Sequence, residues 1–145
     1  MDVSLDDTQQ LIRNFAREYL SDGSGAGFAR EMEGDARGYT DDMWDTIAEL
    51  GWLGMTILEE HGGAGLSLIE LAIVLEEMGA SATPGPFFST AVVGARAIDG
   101  HGSADQKSRY LPALAEGKLK TSLAVLEQAG AWDTRDCNAT AERAE

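Results

Sequence analysis

The stretch that decides the fold is residues 67–80, which read SLIELAIVLEEMGA. Ser67 followed by Glu70 matches the capping box that starts many helices, in which the two side chains satisfy free amide groups of the first turn. Apolar residues recur at helical spacing and also occupy the other sides of this helix, at Leu68, Leu71, Leu75 and Met78 and at Ile69, Ile73 and Val74. Because a helix that is apolar nearly all round is buried, we predict that it forms the centre of a helical bundle, with the first four of these residues in the core.

Helical patterns continue upstream of this segment. A Ser4-x-x-Asp7 cap precedes an amphipathic helix that runs to about Leu20, and Thr40 caps a second helix with two aspartates in its first turn, where the helix dipole favours negative charge. Between them, residues 21–38 are rich in glycine, so we interpret them mainly as a surface connection with at most one short helix.

Helical patterns also continue downstream. Residues 81–88, SATPGPFF, break the central helix with two prolines. Residues 89–100 then form a helix of small side chains that suits close packing. Ser103 and Gln106 predict a last capped helix, which Pro112 should kink or restart.

The pattern changes after Gly117. Residues 121–126, TSLAVL, form an apolar and partly β-branched run of strand length. The predicted fold is therefore mainly α: a helical domain over residues 1–120, followed at 121–145 by the first strand region of an incomplete β-domain.

Composition and charge exclude several classes of function. The chain has 145 residues, 11 of them Lys or Arg and 25 Asp or Glu, for a net charge of −14. This charge argues against a nucleic-acid partner, because binding phosphates requires basic side chains. No apolar run approaches the roughly 20 residues that span a bilayer, and the N-terminal residues are acidic where a signal peptide is basic. We therefore expect a cytoplasmic protein without a transmembrane segment. The single Cys137 and two histidines predict no metal site.

Short motifs give few candidates for chemistry. The cluster Gly62–Gly65 before a helix start suggests a phosphate loop but lacks the Lys-Ser/Thr of that motif, so we interpret it as a tight turn that needs positive φ. The acid pair at 76–77 is interpreted as a solvated face. Phe87 and Phe88, which follow a Pro-Gly-Pro turn, either line a ligand pocket or plug the bundle.

Several segments taken together resemble the N-terminal domain of the acyl-CoA dehydrogenase family. The likeness runs from about Leu5 to Glu127, and its strongest part goes from ELGWLG through EEHGGAGLS to EEMG. There, tryptophans, glycines and acids agree at fixed offsets. The resemblance implies a helical N-terminal domain, followed in the family by a β-barrel-like middle domain and a C-terminal four-helix bundle. It also implies FAD held between the last two domains and assembly into homo- or hetero-oligomers.

The chemistry that the resemblance implies is α,β-dehydrogenation of an acyl-CoA thioester. A glutamate removes the α-proton, the β-hydrogen leaves as hydride to the flavin, and the electrons pass to an electron-transfer flavoprotein. In most members that glutamate belongs to the C-terminal region, so no catalytic residue is assigned to this chain. We expect the chain alone to be inactive and not to retain FAD. Phe87 and Phe88 become candidates for the acyl pocket.

One flavin motif of the family falls within the chain. Residues 123–133, LAVLEQAGAWD, align with the family pattern A-x-T-E-P-x-x-G-S-D, and Ala124, Glu127 and Asp133 agree with it. Leu126 stands where threonine would bond the flavin ring, and Trp132 stands where serine lies beside the pyrophosphate or thioester. Both positions therefore lack the family's hydroxyl groups, although backbone groups near Leu126 or stacking by Trp132 remain available for a flavin.

Three functions are compatible with these residues. The first is the N-terminal portion of an acyl-CoA dehydrogenase. The second, favoured by Leu126 and Trp132, is a non-catalytic subunit or helical partner-binding module that lacks its own FAD. The third is an oxidase of the family, or a dehydrogenase for an unusual thioester such as a sterol side chain.

Overall fold

The computed structural model describes residues 4–23, 26–124, 139–140 and 142. Every regular element within these residues is helical, which confirms the mainly α fold class. The α-helices are α1 (Asp7–Gly23), α2 (Ala26–Met32), α3 (Asp41–Glu49), α4 (Leu68–Ala80), α5 (Ala95–His101) and α6 (Ala104–Ala115). A π-helix, Phe88–Gly94, leads directly into α5, and two short 3₁₀ turns, Trp52–Gly54 and Glu59–His61, lie between α3 and α4. None of the helices in the described residues is long and apolar enough to cross a bilayer.

Side-chain caps fix where three of the helices begin. The Thr40 hydroxyl oxygen accepts an amide N–H in the first turn of α3. Ser67 and Glu70 form the predicted reciprocal box at α4, and Ser103 and Gln106 do so at α6. Since these bonds satisfy amide groups that have no partner within the helix, local sequence alone sets these three boundaries.

The cap of α1 lies two residues later than predicted. Asp6 Oδ1 accepts the amide N–H of Gln9 at 2.8 Å, and Gln9 Oε1 accepts the amide N–H of Asp6 at 3.2 Å. The prediction that Ser4 and Asp7 form this box is therefore wrong. The helix begins at Asp7, so Asp6 occupies the position immediately before it, which is the one that a capping side chain needs.

The central helix α4 is buried along one face only, because Ala72, Glu76 and Gly79 on its other side are exposed. Leu71 is 2% exposed and Val74 is fully buried, whereas Leu68 is 50% exposed. Placing Leu68 in the core was wrong, because this side of the first turn is open to solvent, and the neighbouring Leu66 and Ile69 are exposed as well. Leu75, also predicted to be central, is only partly buried, while Val74 takes the inner position.

Two apolar clusters make up the core, and the loop between α3 and α4 joins them. The larger cluster contains Ala16, Leu20, Met43, Trp44, Ile47, Trp52, Leu53, Met55, Leu71, Val74, Met78, Phe87 and Ala91. The smaller contains Ile57, Ala95, Leu111, Leu114 and Ala115. The loop supplies members of both clusters, so it is part of the core although it has no long regular element.

The glycine cluster at the end of this loop is a tight turn, as predicted. Gly62 and Gly65 have φ values of 80° and 62°, which favour glycine. A Cβ atom on Gly63 would lie 2.1 Å from the carbonyl oxygen of Ile57. The amide N–H groups of Gly63 and Gly65 donate to the carbonyls of Leu58 and Ile57. These amides are already used within the loop, which argues against a phosphate site.

The last helix and the segment after it depart from the predictions in different ways. α6 runs unbroken through Pro112 to Ala115, so the predicted restart does not occur. Residues 121–124 lie in no regular element, and the rest of the predicted strand falls outside the described residues. The domain boundary at residue 120 stays a prediction.

A charged seam joins α1 to α4 beside their apolar contact. The side chain of Glu77 is 6% exposed, and Arg17 donates to both of its carboxylate oxygens, at 2.8 and 3.0 Å. Arg13 donates to the adjacent Glu76 at 2.6 Å, and its Nε lies 3.8 Å from Glu77. The acid pair at 76–77 is therefore not simply a solvated face, because one of its members faces into the helix contact.

The hydrogen bonds in this seam favour ionised carboxylates. Hydrogen bonds from Arg17, together with its charge, hold the pKa of Glu77 below its ordinary value although burial acts in the opposite direction. Hydrogen bonds from Ser67 and Gln9 lower the pKa of Glu70 to about 2. The contact between α1 and α4 thus depends on negative charge on α4.

The unequal burial of two leucines in α4 gives a matched test of the core. Leu71→Ala should lower the free energy of unfolding by about 2 to 5 kcal/mol, because it leaves a cavity. Leu68→Ala makes the same chemical change one turn earlier at an exposed site, where surface substitutions typically change stability by about 0.5 kcal/mol. Urea unfolding followed by circular dichroism measures both, and equal losses would contradict this description of the core.

The charged seam predicts a pH dependence. Glu77→Gln should lower the free energy of unfolding at pH 7 by about 1.5 to 3 kcal/mol, the range for hydrogen bonds to charged groups. The lowered pKa means that this contribution is fully present above the ordinary value of 4.5 and is lost as pH falls through the lowered pKa. The difference between parent and variant should thus be constant from neutral pH down to about pH 5 and shrink below it.

Glu76→Gln is the control for this test. Its side chain is 65% exposed, and exposed ion pairs contribute little. A loss for Glu76→Gln as large as that for Glu77→Gln, or a Glu77 effect that does not change with pH, would contradict the role of the buried carboxylate.

Candidate functional site

The exposed side of the π-helix and the chain segment that crosses it form the candidate site. The preceding turn is tight: Gly85 has a φ of 103°, and a Cβ there would lie 3.2 Å from side chains in and just before α3. The carbonyl oxygen of Pro86 accepts both the amide N–H of Thr90 and the hydroxyl of Ser89, each at 3.0 Å. π-helices are uncommon and are frequent at functional sites, so this segment is a natural candidate.

The structure separates the two phenylalanines that precede this helix. Phe87 is 4% exposed and belongs to the larger core cluster, whereas Phe88 is 58% exposed. Neighbouring residues of a helix point in different directions, so the two rings do not share one pocket. Phe87 plugs the bundle, which was one of the two interpretations of the sequence, and Phe88 alone presents its ring at the surface.

An open cavity of about 300 Å³ lies where the π-helix meets the exit segment, which we define as residues 117–124. Its lining residues are Pro86, Ser89, Lys120, Thr121 and Ser122. They offer three hydroxyl groups and one ammonium group, and these lining residues, taken from the described part of the chain, include no carboxylate or histidine. This combination is suited to binding a ligand, not to acid or base chemistry.

Thr90 connects the two walls of this cavity. Its side chain is fully buried. The hydroxyl oxygen accepts the amide N–H of Thr121 and donates to the carbonyl oxygen of the same residue, both at 3.3 Å. The exit segment is thereby fixed to the π-helix by one side chain.

Gly94 allows the exit segment to lie this close. A Cβ atom on Gly94 would be 2.1 Å from Cγ2 of Thr121 and 3.1 Å from its Cβ. A separation of 2.1 Å does not occur between real side chains, and a β-branched residue cannot easily turn away. The small-residue pattern predicted for this helix therefore corresponds to one specific contact.

Aromatic rings hold Lys120 at the rim. Its Nζ lies 4.8 Å from the Trp44 ring centre and 5.6 Å from that of Tyr39, within the range of cation–π attraction. Trp44 is itself fixed, because its Nε1–H donates to the carbonyl oxygen of Gly117 at 2.8 Å. Among the described residues no carboxylate oxygen lies within 4 Å of this ammonium group, although its charge helps to lower the pKa of Asp41.

Sequence reasoning found only part of this site. Phe88 was a candidate and is the first residue of the π-helix. The flavin candidates Leu126 and Trp132 lie outside the described residues. Thr90, Gly94 and Lys120 were not singled out as site residues. The sequence signal for Thr90 and Gly94 was the run of small side chains after the phenylalanines. That run predicted close packing, but it did not indicate which segment would pack against the helix.

Comparisons with known proteins place the chain in a family. A family model described as "Acyl-CoA dehydrogenase, N-terminal domain" matches residues 6–118. Acyl-CoA dehydrogenase FadE12 of Mycobacterium tuberculosis is 34% identical over 137 residues, which are 91% of this chain and 32% of that protein. The chain spans about a third of the length of this curated relative.

Solved structures have the same fold. The ChsE4-ChsE5 complex from Mycobacterium tuberculosis superposes with a TM-score of 0.80 at 27% identity, over 99% of this chain and 36% of that one. An acyl-CoA dehydrogenase from Bacillus anthracis complexed with FAD gives a TM-score of 0.79 at 22% identity, over 92% of this chain and 23% of that one. The N-terminal helical domain predicted from the sequence is confirmed.

The contact between Gly94 and Thr121 gives a prediction in which sterics oppose helix propensity. Gly→Ala within a helix normally stabilises by about 0.5 to 1 kcal/mol. Gly94→Ala should instead destabilise by about 1 to 3 kcal/mol, because the new methyl group overlaps Thr121. Thermal unfolding of the chain measures the sign.

Two variants control for other causes. Gly100→Ala in α5 has nothing within 4 Å of the added Cβ, so it should stabilise the chain as propensity alone predicts. Adding Thr121→Ser to Gly94→Ala removes the overlapping Cγ2 and should recover part of the loss. A stabilising Gly94→Ala, or no recovery in the double variant, would contradict the close approach.

Proposed function

The chain belongs to the acyl-CoA dehydrogenase family, and we propose that it is the N-terminal portion of an FAD-dependent enzyme that dehydrogenates an acyl-CoA thioester between its α and β carbons. The match to the family's N-terminal domain over residues 6–118 carries this proposal. Because the relative FadE12 is about three times as long, the activity would belong to a protein that contains further domains. The helical domain would span residues 1–120, and residues 121–145 would open the β-domain.

In this protein, the residues that the structure describes would bind the acyl-CoA and would take no part in its dehydrogenation. The cavity beside the π-helix has hydroxyl groups and an ammonium group on its walls, and Phe88 is exposed on the same helix. An acyl-CoA has an apolar chain and a polar thioester and head group, which match these two kinds of surface. We assign Phe88 to the acyl pocket and leave Phe87 in the core that supports it.

FAD is the cofactor of this family, and the FAD complex of the Bacillus anthracis relative is an instance. The two candidate flavin residues do not supply the family's hydroxyl contacts. Leu126 has no hydrogen-bonding side-chain group, and the Trp132 indole can donate one bond and accept none. These side chains do not fit the family pattern, and we assign no reaction step to the flavin through them.

This misfit favours a second candidate function. The chain would then belong to a non-catalytic subunit that works in a mixed oligomer with a second, FAD-binding subunit. The ChsE4-ChsE5 neighbour, which is a complex of two differently named chains, supports assembly of this kind. Acyl-CoA and an electron-transfer flavoprotein remain the partners proposed for the first candidate, and the cytoplasmic location stays a prediction.

One experiment distinguishes the two functions. The product of the complete reading frame that contains these 145 residues is purified alone, given FAD, and assayed for reduction of an electron-accepting dye with octanoyl-CoA and palmitoyl-CoA. Thioester-dependent reduction by this protein alone supports the first function. Reduction only after mixing with a second family subunit supports the non-catalytic one, and no reduction in either case contradicts both.

The two unusual residues predict how FAD affinity responds to substitution. We expect weak FAD binding by the same protein, and stronger binding when Leu126→Thr and Trp132→Ser are combined. The restored hydroxyl groups each contribute about 0.5 to 1.5 kcal/mol, which together amounts to roughly a 5- to 150-fold gain in affinity. Quenching of flavin fluorescence during titration gives both affinities. Tight binding by the parent that the double substitution weakens would show that Leu126 and Trp132 form a working variant of the flavin site, and would contradict the non-catalytic subunit.

A further inference from the structure

We propose that Thr90 is a positioning residue, whose hydroxyl fixes the exit segment against the π-helix and thereby keeps the cavity in a shape that receives the acyl group. The fixing of the segment follows from contacts within the chain. The consequence for the acyl group rests on the proposed function.

Thr121 bonds to the Thr90 hydroxyl in the way that a strand residue bonds to its partner in an antiparallel β-sheet. In an antiparallel pair of hydrogen-bonded residues, each residue uses both its N–H and its C=O toward the same neighbour. Thr121 does this toward a single hydroxyl, which accepts from its N–H and donates to its C=O at 3.3 Å. A hydroxyl can both donate and accept through one atom, so threonine can serve here where valine of the same shape cannot.

The Thr90 side chain is fully buried, so the presence of a hydroxyl group there needs a structural reason. Thr90 lies at 0% exposure, next to Ala91 of the larger core cluster. A hydroxyl buried among apolar groups is unfavourable unless it is hydrogen-bonded, and valine would fill the same space without that penalty. The polar atom is therefore explained by its two bonds to Thr121.

These bonds connect the opposite walls of the cavity. Pro86 and Ser89 line one wall, and the exit segment supplies the other through Lys120, Thr121 and Ser122. Thr90 directly follows Ser89 in the chain and holds the middle residue of the other wall. Loss of its hydroxyl would release one wall from the other without removing any residue that lines the cavity.

Within the part of the chain that the structure describes, the other hydrogen bonds that hold the exit segment lie before Thr121. Gly117 is bonded to Trp44, and the amide N–H of Leu119 donates to the carbonyl oxygen of Ala113 at 3.0 Å. The described residues after Thr121, at 122–124, are exposed. Thr90 therefore holds the exit segment at Thr121, directly before its exposed residues 122–124.

Hydrogen exchange at the Thr121 amide tests, in the chain itself, whether the Thr90 hydroxyl holds the exit segment. We call this contact the anchor. The variants are Thr90→Val, which removes the hydroxyl at constant shape, and Thr90→Ser, which keeps it. Thr46→Val is the matched control, because the Thr46 hydroxyl donates only to the carbonyl of Asp42 within its own helix.

Exchange rates are read by NMR at Thr121 and at core amides of α4. Thr90→Val should accelerate exchange at Thr121 by about tenfold or more, while the α4 amides stay protected. Thr90→Ser and Thr46→Val should leave the exchange rate of the Thr121 amide within about threefold of its rate in the parent. An unchanged rate at Thr121 in Thr90→Val, or equal acceleration at every amide, would overturn the anchor.

Thioester binding tests the consequence for the cavity. In the product of the complete reading frame, Thr90→Val should weaken binding of octanoyl-CoA or palmitoyl-CoA about 2- to 10-fold by calorimetry, the range for one hydrogen bond. Thr90→Ser should bind as the parent does. If all three proteins bind equally well, the positioning role is wrong even where exchange at Thr121 changes. If neither thioester binds to the parent, the proposed function fails, and the exchange result alone decides the anchor.

Discussion

The burial of one broad face of α4 constrains the rest of this structure. The buried residues of this face are Leu71, Ile73, Val74, Glu77 and Met78, and they extend beyond a single narrow stripe, so more than one neighbouring segment is needed to cover them. α1 covers one side from about sixty residues away in the chain, and its arginines neutralise the buried Glu77 that would otherwise oppose the contact. The loop between α3 and α4 packs against another part of this face. This loop therefore lies in the core although its regular structure is limited to two short 3₁₀ turns.

The same packing carries through to the candidate site. Phe87 inserts into the larger cluster and fixes the start of the π-helix, so its neighbour Phe88 is left at the surface. Two residues of the π-helix then contact the exit segment. Thr90 forms hydrogen bonds with it, and Gly94 leaves room for it because glycine has no side chain. The cavity therefore depends on core packing as much as on the residues that line it.

Sequence patterns predicted most features whose causes are local, although they placed the cap of α1 at Ser4 and not at Asp6. The caps at Thr40, Ser67 and Ser103 depend on residues within one turn, and each was found. The burial of Leu71 and not Leu68, and the pairing of Glu77 with Arg17, depend on a helix about sixty residues away, which no local pattern encodes. Thr90 is the clearest case: it reads as one small residue in a run, and its partner lies 31 residues later.

Charge sets a last condition on how this domain would bind the acyl-CoA thioester proposed as its ligand. With a net charge of −14, the protein repels an anionic thioester unless positive charge is concentrated where it binds. Two other cations of this part of the chain have carboxylate partners: Arg37 pairs with Asp41 and Lys118 with Glu116. Lys120 rests on the faces of Trp44 and Tyr39 instead, and cation–π contact stabilises its position without cancelling its charge. Aromatic support therefore leaves this lysine as a full positive charge on the cavity wall, which makes the rim less repulsive to an anion than the surrounding surface.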